Sequence, residues 1–392
     1  MIGGSSRRIL IASNAFKGTL TAREACEAIK DGILSTGYSD VALELCPLAD
    51  GGDSFLETLC SANGGSLFEA PCVDPLGRPI TAPFGLMSDG TTAVIEAASA
   101  NGLRLLAPDE RNPMNTTSAG VGDLILAACG YPSVNKLILG IGGSATNDGG
   151  IGMGSRLGAR FTPKLTLGRG ADLLNLSAIS LETLIPRLRE ISFKVACDVD
   201  NPLFGERGAS RVFGPQKGAA PDEIDLLDRG LRHLATLLGR LDRAELPGMG
   251  AAGGLGFGCS VFCGAELLPG CRLVMEALDF AERVQRADLV ITGEGALDAQ
   301  SQMGKVPVEA ARCARSYGKP CIALVGRKGV GWQQCLGESS LSACHAIEEL
   351  GVSAQDSLRE PRRYLSALAA RVFKNIATGA PPKGNGVTGD TP

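Results

Sequence analysis

RRILIASNAFKGTLTAREACEAIKDGI (residues 7–33) is the stretch on which the fold turns. Residues 7–13 form an apolar run bounded by a loop, the pattern of a buried strand. After the loop NAFKG (14–18), Thr21 and Glu24 stand at capping-box spacing and open a helix. Ala22, Ala25, Cys26, Ile29 and Ile33 then fall on one helical face. The same alternation continues outward along the chain. VALELCPL (41–48) reads as a strand that ends in ADGGD, with a helix carrying Phe55, Leu56 and Leu59 behind it. Further strands are read at 92–98, 136–141, 193–197, 287–292 and 321–326, and helices at 118–129, 222–241 and 306–317. This order predicts a mainly parallel α/β architecture, whose ligands bind in the loops at the carboxyl ends of the strands.

The 392 residues suffice for two domains, and 44% hydrophobic with 20% charged residues is an ordinary globular composition. A net charge of -4 leaves no electrostatic footprint for nucleic acid, so anions must be held locally by backbone donors and a few cations. No apolar run approaches a membrane span, and residues 1–6 lack the pattern of a secretory signal. The 13 cysteines are odd in number and sit mostly in apolar stretches, as reduced thiols of a cytoplasmic protein do. Cys259 and Cys263 lie four apart without further ligands at metal-site spacing. Both histidines, His233 and His345, lie in apolar contexts and read as structural. Ser-His-Asp, Cys-His and His-zinc chemistry are therefore set aside, leaving carboxylates, lysines and backbone amides. The Gly- and Pro-rich segment 379–392 is expected to be a disordered tail.

Several loops hold residues able to do chemistry. In NAFKG, Lys17 lies between a strand end and a helix start, as an anion site or an ordinary turn with a solvated lysine. In ADGGD (49–53), Asp50 and Asp53 flank Gly51 and Gly52, as a ligand loop or an Asx-rich turn. GIGGSATNDGGIGMG (140–154) carries Ser144, Thr146, Asn147 and Asp148 among glycines whose amides can cradle phosphate. Gly140, Gly142 and Ala145 also fit the dinucleotide fingerprint, but no acid follows about twenty residues on. ACDVDNP (196–202) puts Asp198 just past a strand, with Asp200 behind it, as a general base or magnesium ligand. FGPQKGA (213–219) adds Lys217 in a turn-like segment, and GMGAAGGLGFG (248–258) reads as a further glycine tract with exposed backbone. TGEGALDAQSQMGK (292–305) carries Glu294, Asp298 and Lys305, with Pro307 suited to the first turn of a helix. It is not a Walker A loop, because Ala299 and Val306 replace the required Gly and Ser/Thr.

Together these segments resemble the glycerate kinase family typified by bacterial glycerate 2-kinases. FKGTLTA, PLADGGD, DPLGRPI, NPMNTTSAGVGDLI, LGIGGSATNDGGIGM, VACDVDNPLFG, VFGPQKGA, AAGGLG and LVITGEGALDAQSQMGKVP run in family order from about Ile9 to Gly326. The resemblance implies transfer of the ATP γ-phosphoryl group to D-glycerate with Mg2+, with 2-phosphoglycerate the favoured product. It implies two α/β domains with the active site in the cleft between them. One is Rossmann/flavodoxin-like, expected over 1–75 and 286–378, and the other is inserted over 76–285. The implied partners are small molecules, not nucleic acid or membrane, with a homodimer as one assembly open to the chain. Two loops depart from the family pattern: Asn14-Ala15 stands for Asp-Ser, and Asp53-Ser54 for Glu-Gly. Residue 14 therefore cannot be a base. On this resemblance Asp198 is the expected base, with Asp148 the alternative. Lys17 and the amides of Gly142, Gly143 and Ser144 are expected to hold anionic groups. Asp50, Gly51, Gly52 and Ser118 are assigned to substrate, and Gly293, Glu294, Gly295 and Lys305 to nucleotide. Glu294 and Asp298 are assigned to magnesium. The rivals are a nicotinamide-dependent oxidoreductase and a non-catalytic sugar-acid or nucleotide-binding protein.

Overall fold

Thr21 caps the first helix as its spacing requires: its side chain accepts from the Glu24 amide, and Glu24 accepts from the Thr21 amide. That helix, Ala22–Leu34, buries the five residues expected on its apolar face. The computed structural model describes residues 7–50, 55–62, 64–302, 304–337 and 340–378, so the segment 379–392 lies outside the described residues. Among these residues the strands are β1 (Arg7–Ser13), β2 (Val41–Leu45), β3 (Ser66–Val73), β4 (Pro79–Leu86), β5 (Thr92–Glu96), β6 (Lys136–Gly140), β7 (Arg160–Thr162), β8 (Ala178–Ser180), β9 (Ser192–Ala196), β10 (Glu266–Leu268), β11 (Leu289–Leu297), β12 (Cys321–Lys328) and β13 (Ala343–Ala346). The chain divides into two compact units, residues 1–50 with 274–392 and residues 51–273.

The first unit holds a wholly parallel sheet in the order β13-β12-β11-β1-β2. Counted along the chain within the unit, that order is 2-1-3-4-5, and it reverses direction between β1 and β11. Ile9 and Ile11 of β1 pack beneath Ile29 and Ile33, and beneath Leu365, Leu368 and Phe373 of the helix Pro361–Ala377. Each such side chain contributes about 1.5–3 kcal/mol relative to exposure, as an upper bound. The two helices meet at Gly32, where a Cβ would stand 2.2 Å from the Ser366 carbonyl oxygen.

The second unit holds a mixed sheet in the order β10-β9-β6-β5-β4-β3, beside a small β7-β8 ribbon. Strands β5, β6, β9 and β10 run parallel, whereas β3 and β4 form an antiparallel pair. That pair is absent from the sequence reading because Pro71, Pro79 and Pro83 interrupt its pattern. The prolines are tolerated here because β3 is an edge strand, and β4 pairs with β5 only through Gly85 and Leu86. The helix read over 222–241 ends at Leu237, before a short turn of helix at Leu241–Ala244. The glycine tract at 248–258 needs correction: it is buried, not exposed backbone. It opens the helix Ala251–Phe262 through left-handed residues Ala252, Gly253 and Gly254. A Cβ on Gly253 would lie 1.9 Å from the Thr146 carbonyl, and one on Gly258 would lie 2.8 Å from Gly149. Glycine lets this helix seat against the loop that follows β6.

Candidate active site

In the second unit, register sets the loops side by side. Gly140 at the end of β6 is partnered by Glu96 of β5 and by Ala196 of β9. The glycine-rich loop and the Asp198 loop therefore leave neighbouring strands at their carboxyl ends. Gly142 and Gly143 are exposed, with Gly143 at φ 71°, and Ser144 beyond them is buried. The loop is tied to the turn after β5, since Leu103 donates to the Gly143 carbonyl and Ala145 donates to the Asn101 carbonyl.

Asp148 anchors the inner end of this loop. Its Oδ2 accepts from the Ser118 amide at 2.8 Å, the Ser118 hydroxyl at 2.7 Å and the Gly152 amide at 3.3 Å. Its Oδ1 accepts from the Gly150 amide at 3.0 Å. Burial pushes the carboxyl up, and these donors oppose it. Ser118 is also fully buried, and its Oγ accepts from the Met153 amide. Both side chains face inward and order the loop. Asp198 is exposed past β9, and its Oδ1 accepts from the Gly270 amide at the start of the helix Gly270–Ala277.

Lys217, left out of the residue assignments made from sequence, lies against the same glycine-rich loop. Its segment, read as turn-like, is a short 3-10 turn, Pro215–Lys217. The side chain is buried, donating to Ser144 Oγ at 3.1 Å and to the Thr146 carbonyl at 2.7 Å. Burial pulls its ammonium down to about 7, against the pull of Asp148 in the other direction. The signal was present in FGPQKGA, but only the fold turns that lysine inward.

In the first unit, Asn14 follows the end of β1 and Glu294 lies within the adjacent β11, where the sheet order reverses. Ser13 is paired with Gly293, and the Asn14 amide donates to the Gly293 carbonyl. The Asn14 side chain donates to Asp50 Oδ2 at 3.2 Å, so the amide found in place of a carboxylate supports an acid. Glu294 is buried and accepts from Ser301 Oγ at 2.8 Å. Burial pushes its carboxyl up to about 7, with Asp298 and Asp50 raising it further and Ser301 and Lys305 opposing them. Lys305 Nζ stands 3.6 Å from Asp298 Oδ1, and Lys305 precedes the helix Val306–Ser316 as its N-cap residue, with Pro307 in the first turn. Lys17 is exposed, with its backbone next to Gly295. Gly51, Gly52 and Asp53 lie outside the described residues. Among the described residues no three His, Cys, Asp or Glu side chains gather into a metal cage. Two acidic oxygen donors, Glu294 and Asp298, suit magnesium, which completes its shell from water and phosphate.

The glycerate kinase family model matches residues 9–377. A glycerate kinase of Bacillus subtilis (strain 168) is 42% identical over 376 residues, spanning 94% of this chain and 97% of that protein. The glycerate 2-kinase of Escherichia coli (strain K12) is 40% identical over 380 residues, spanning 94% and 99%. A crystal structure bearing the name glycerate kinase 2, from Salmonella typhimurium LT2, aligns with a TM-score of 0.85 at 38% identity. It covers 95% of this chain and 99% of that one.

Proposed function

This chain belongs to the glycerate kinase family, and from that premise we propose that it phosphorylates the 2-hydroxyl of D-glycerate, yielding 2-phosphoglycerate and ADP. It is a phosphotransferase that uses ATP. The observation that carries the reaction is similarity over nearly the whole length of both chains to proteins named as glycerate kinases.

Phosphoryl transfer asks for positioning, charge neutralisation and an acceptor for the hydroxyl proton. The glycerate oxygen forms the new O–P bond as the bond from the γ-phosphorus to the bridging oxygen breaks, and ADP leaves. We assign the proton to Asp198, whose exposure at a strand's carboxyl end supports it over the enclosed Asp148. The amides of Gly142, Gly143 and Ser144 would hold an anionic group in the second unit. In the first, we read the 2-1-3-4-5 sheet as flavodoxin-like, with the nucleotide at its switch point near Gly293, Glu294, Gly295 and Lys305. Asp50 would orient substrate hydroxyls, and Lys17 would neutralise phosphate. Magnesium, held by Glu294 and Asp298, would supply neutralisation of phosphate charge. Thirteen free cysteines support a cytoplasmic setting.

Incubation with ATP, Mg2+ and D-glycerate, with the product identified by NMR, tests the reading. ADP release that needs glycerate and a phosphate on the 2-oxygen are expected. Release independent of glycerate would overturn the proposal, and phosphate on the 3-oxygen would overturn its regiochemistry. Asp198→Asn is expected to lower kcat by roughly a hundredfold, and unchanged turnover would remove it as the base.

A further inference from the structure

Resting on the phosphoryl-transfer reading above, we infer that Lys217 is a positioning residue, which commits the Ser144 hydroxyl to donate toward an anionic oxygen held at Gly142 and Gly143. An ammonium carries donors and no acceptor, whereas a serine hydroxyl has one proton and accepting lone pairs. In the bond between Lys217 Nζ and Ser144 Oγ, at 3.1 Å, the serine must therefore accept. Among the described residues no other hydrogen bond engages Ser144 Oγ, so its own proton is available to a ligand at the neighbouring exposed glycines. The lysine is held in register by the Thr146 carbonyl at 2.7 Å, and that carbonyl is itself backed by Gly253. Asp148 is the charged group that acts on it, and the residue that follows, Gly218, packs against the main chain of Arg111.

A protonation sense follows. Burial brings Lys217 to about 7, so it is a cation below neutrality and an amine above. An amine can accept from Ser144, which turns the serine proton inward and away from the ligand. Donation to the anion is thus present at lower pH and lost as pH rises through about 7.

The test measures KM and kcat for D-glycerate and for ATP across roughly pH 6–9, using the full-length enzyme, Ser144→Ala, Lys217→Met and the double variant. One substrate's KM is expected to rise about tenfold in each single variant with little change in kcat, and the substrate affected identifies the anion. The double variant is expected to be no worse than either single one. In the unaltered enzyme the same KM should climb as pH passes about 7, a climb that Ser144→Ala removes. Additive losses, or both KM values unchanged in Ser144→Ala, overturn the inference. Should Lys217→Met not fold, the pH profile of Ser144→Ala decides alone. An unaltered enzyme that releases no ADP with glycerate instead overturns the kinase reading.

Discussion

Glu294 and Lys217 each sit where burial opposes their ordinary charge, and the direction differs. Glu294 is raised to about 7 from 4.5, so between those values the folded chain binds the extra proton. Stability from this group therefore falls as pH rises from 4.5 to about 7. Lys217 is lowered to about 7 from 10.5, so between those values the unfolded chain binds the extra proton, and stability rises with pH. Denaturant titrations of the metal-free protein should show Glu294→Gln flattening the first slope and Lys217→Met the second. Slopes indistinguishable from the unaltered chain would mean that neither shift exists. Asp148 offers a sharper test. Asp148→Asn sets an NH2 or a poorer acceptor against four N–H and O–H donors, and should cost about 2–4 kcal/mol by chemical denaturation. The roles of single residues were only partly legible in the sequence. Asp148 and Ser118 stand out as polar residues in glycine-rich motifs, yet sequence carries no sign of which way a side chain turns. Both proved to face each other. Lys217 stood out only as a lysine in a turn-like segment, and its enclosure was not legible because its partners lie more than seventy positions away.

At the scale of elements, local signals were the reliable ones. The capping box, the buried face of the helix Ala22–Leu34 and the apolar parallel strands depend on near neighbours along the chain. The β3–β4 pair and the helix opening at Ala251 do not, since their conformations are imposed by contacts remote in sequence. Glycines separate the two cases. Gly18→Ala, with φ 77° and open space around the position, should cost only about 1 kcal/mol. Gly253→Ala meets backbone 1.9 Å away and should destabilise by at least 3 kcal/mol or prevent folding. Comparable losses for the two would show that the seating of helix on loop is not tight. Thr21→Ala removes a side-chain cap and is expected to cost about 1 kcal/mol, read as a lower midpoint in urea.

For the whole molecule, the succession of strands and helices foretold an α/β protein, and the motifs foretold its family. The number and order of strands in each sheet needed coordinates, because pairing between residues such as Ile9 and Leu289 leaves no local trace. The contiguous unit 51–273 encloses its own large core, from Phe84 and Ile95 through Leu139 to Phe257. Expressed alone, it should unfold cooperatively and resist proteolysis, whereas residues 274–378 alone should not. A segment 51–273 that is digested as fast as an unfolded chain would contradict this. The pairing of β1 with β11 also has a consequence in time. On the ribosome, β1 and β2 emerge before the 223 residues of the segment 51–273, and β11 follows only after that segment. At about 5–20 residues per second, the first strand waits on the order of ten to forty seconds with one flank unpaired. A nascent chain of this kind needs shelter from a chaperone, or quick folding of the intervening piece, to keep that open edge from meeting another copy.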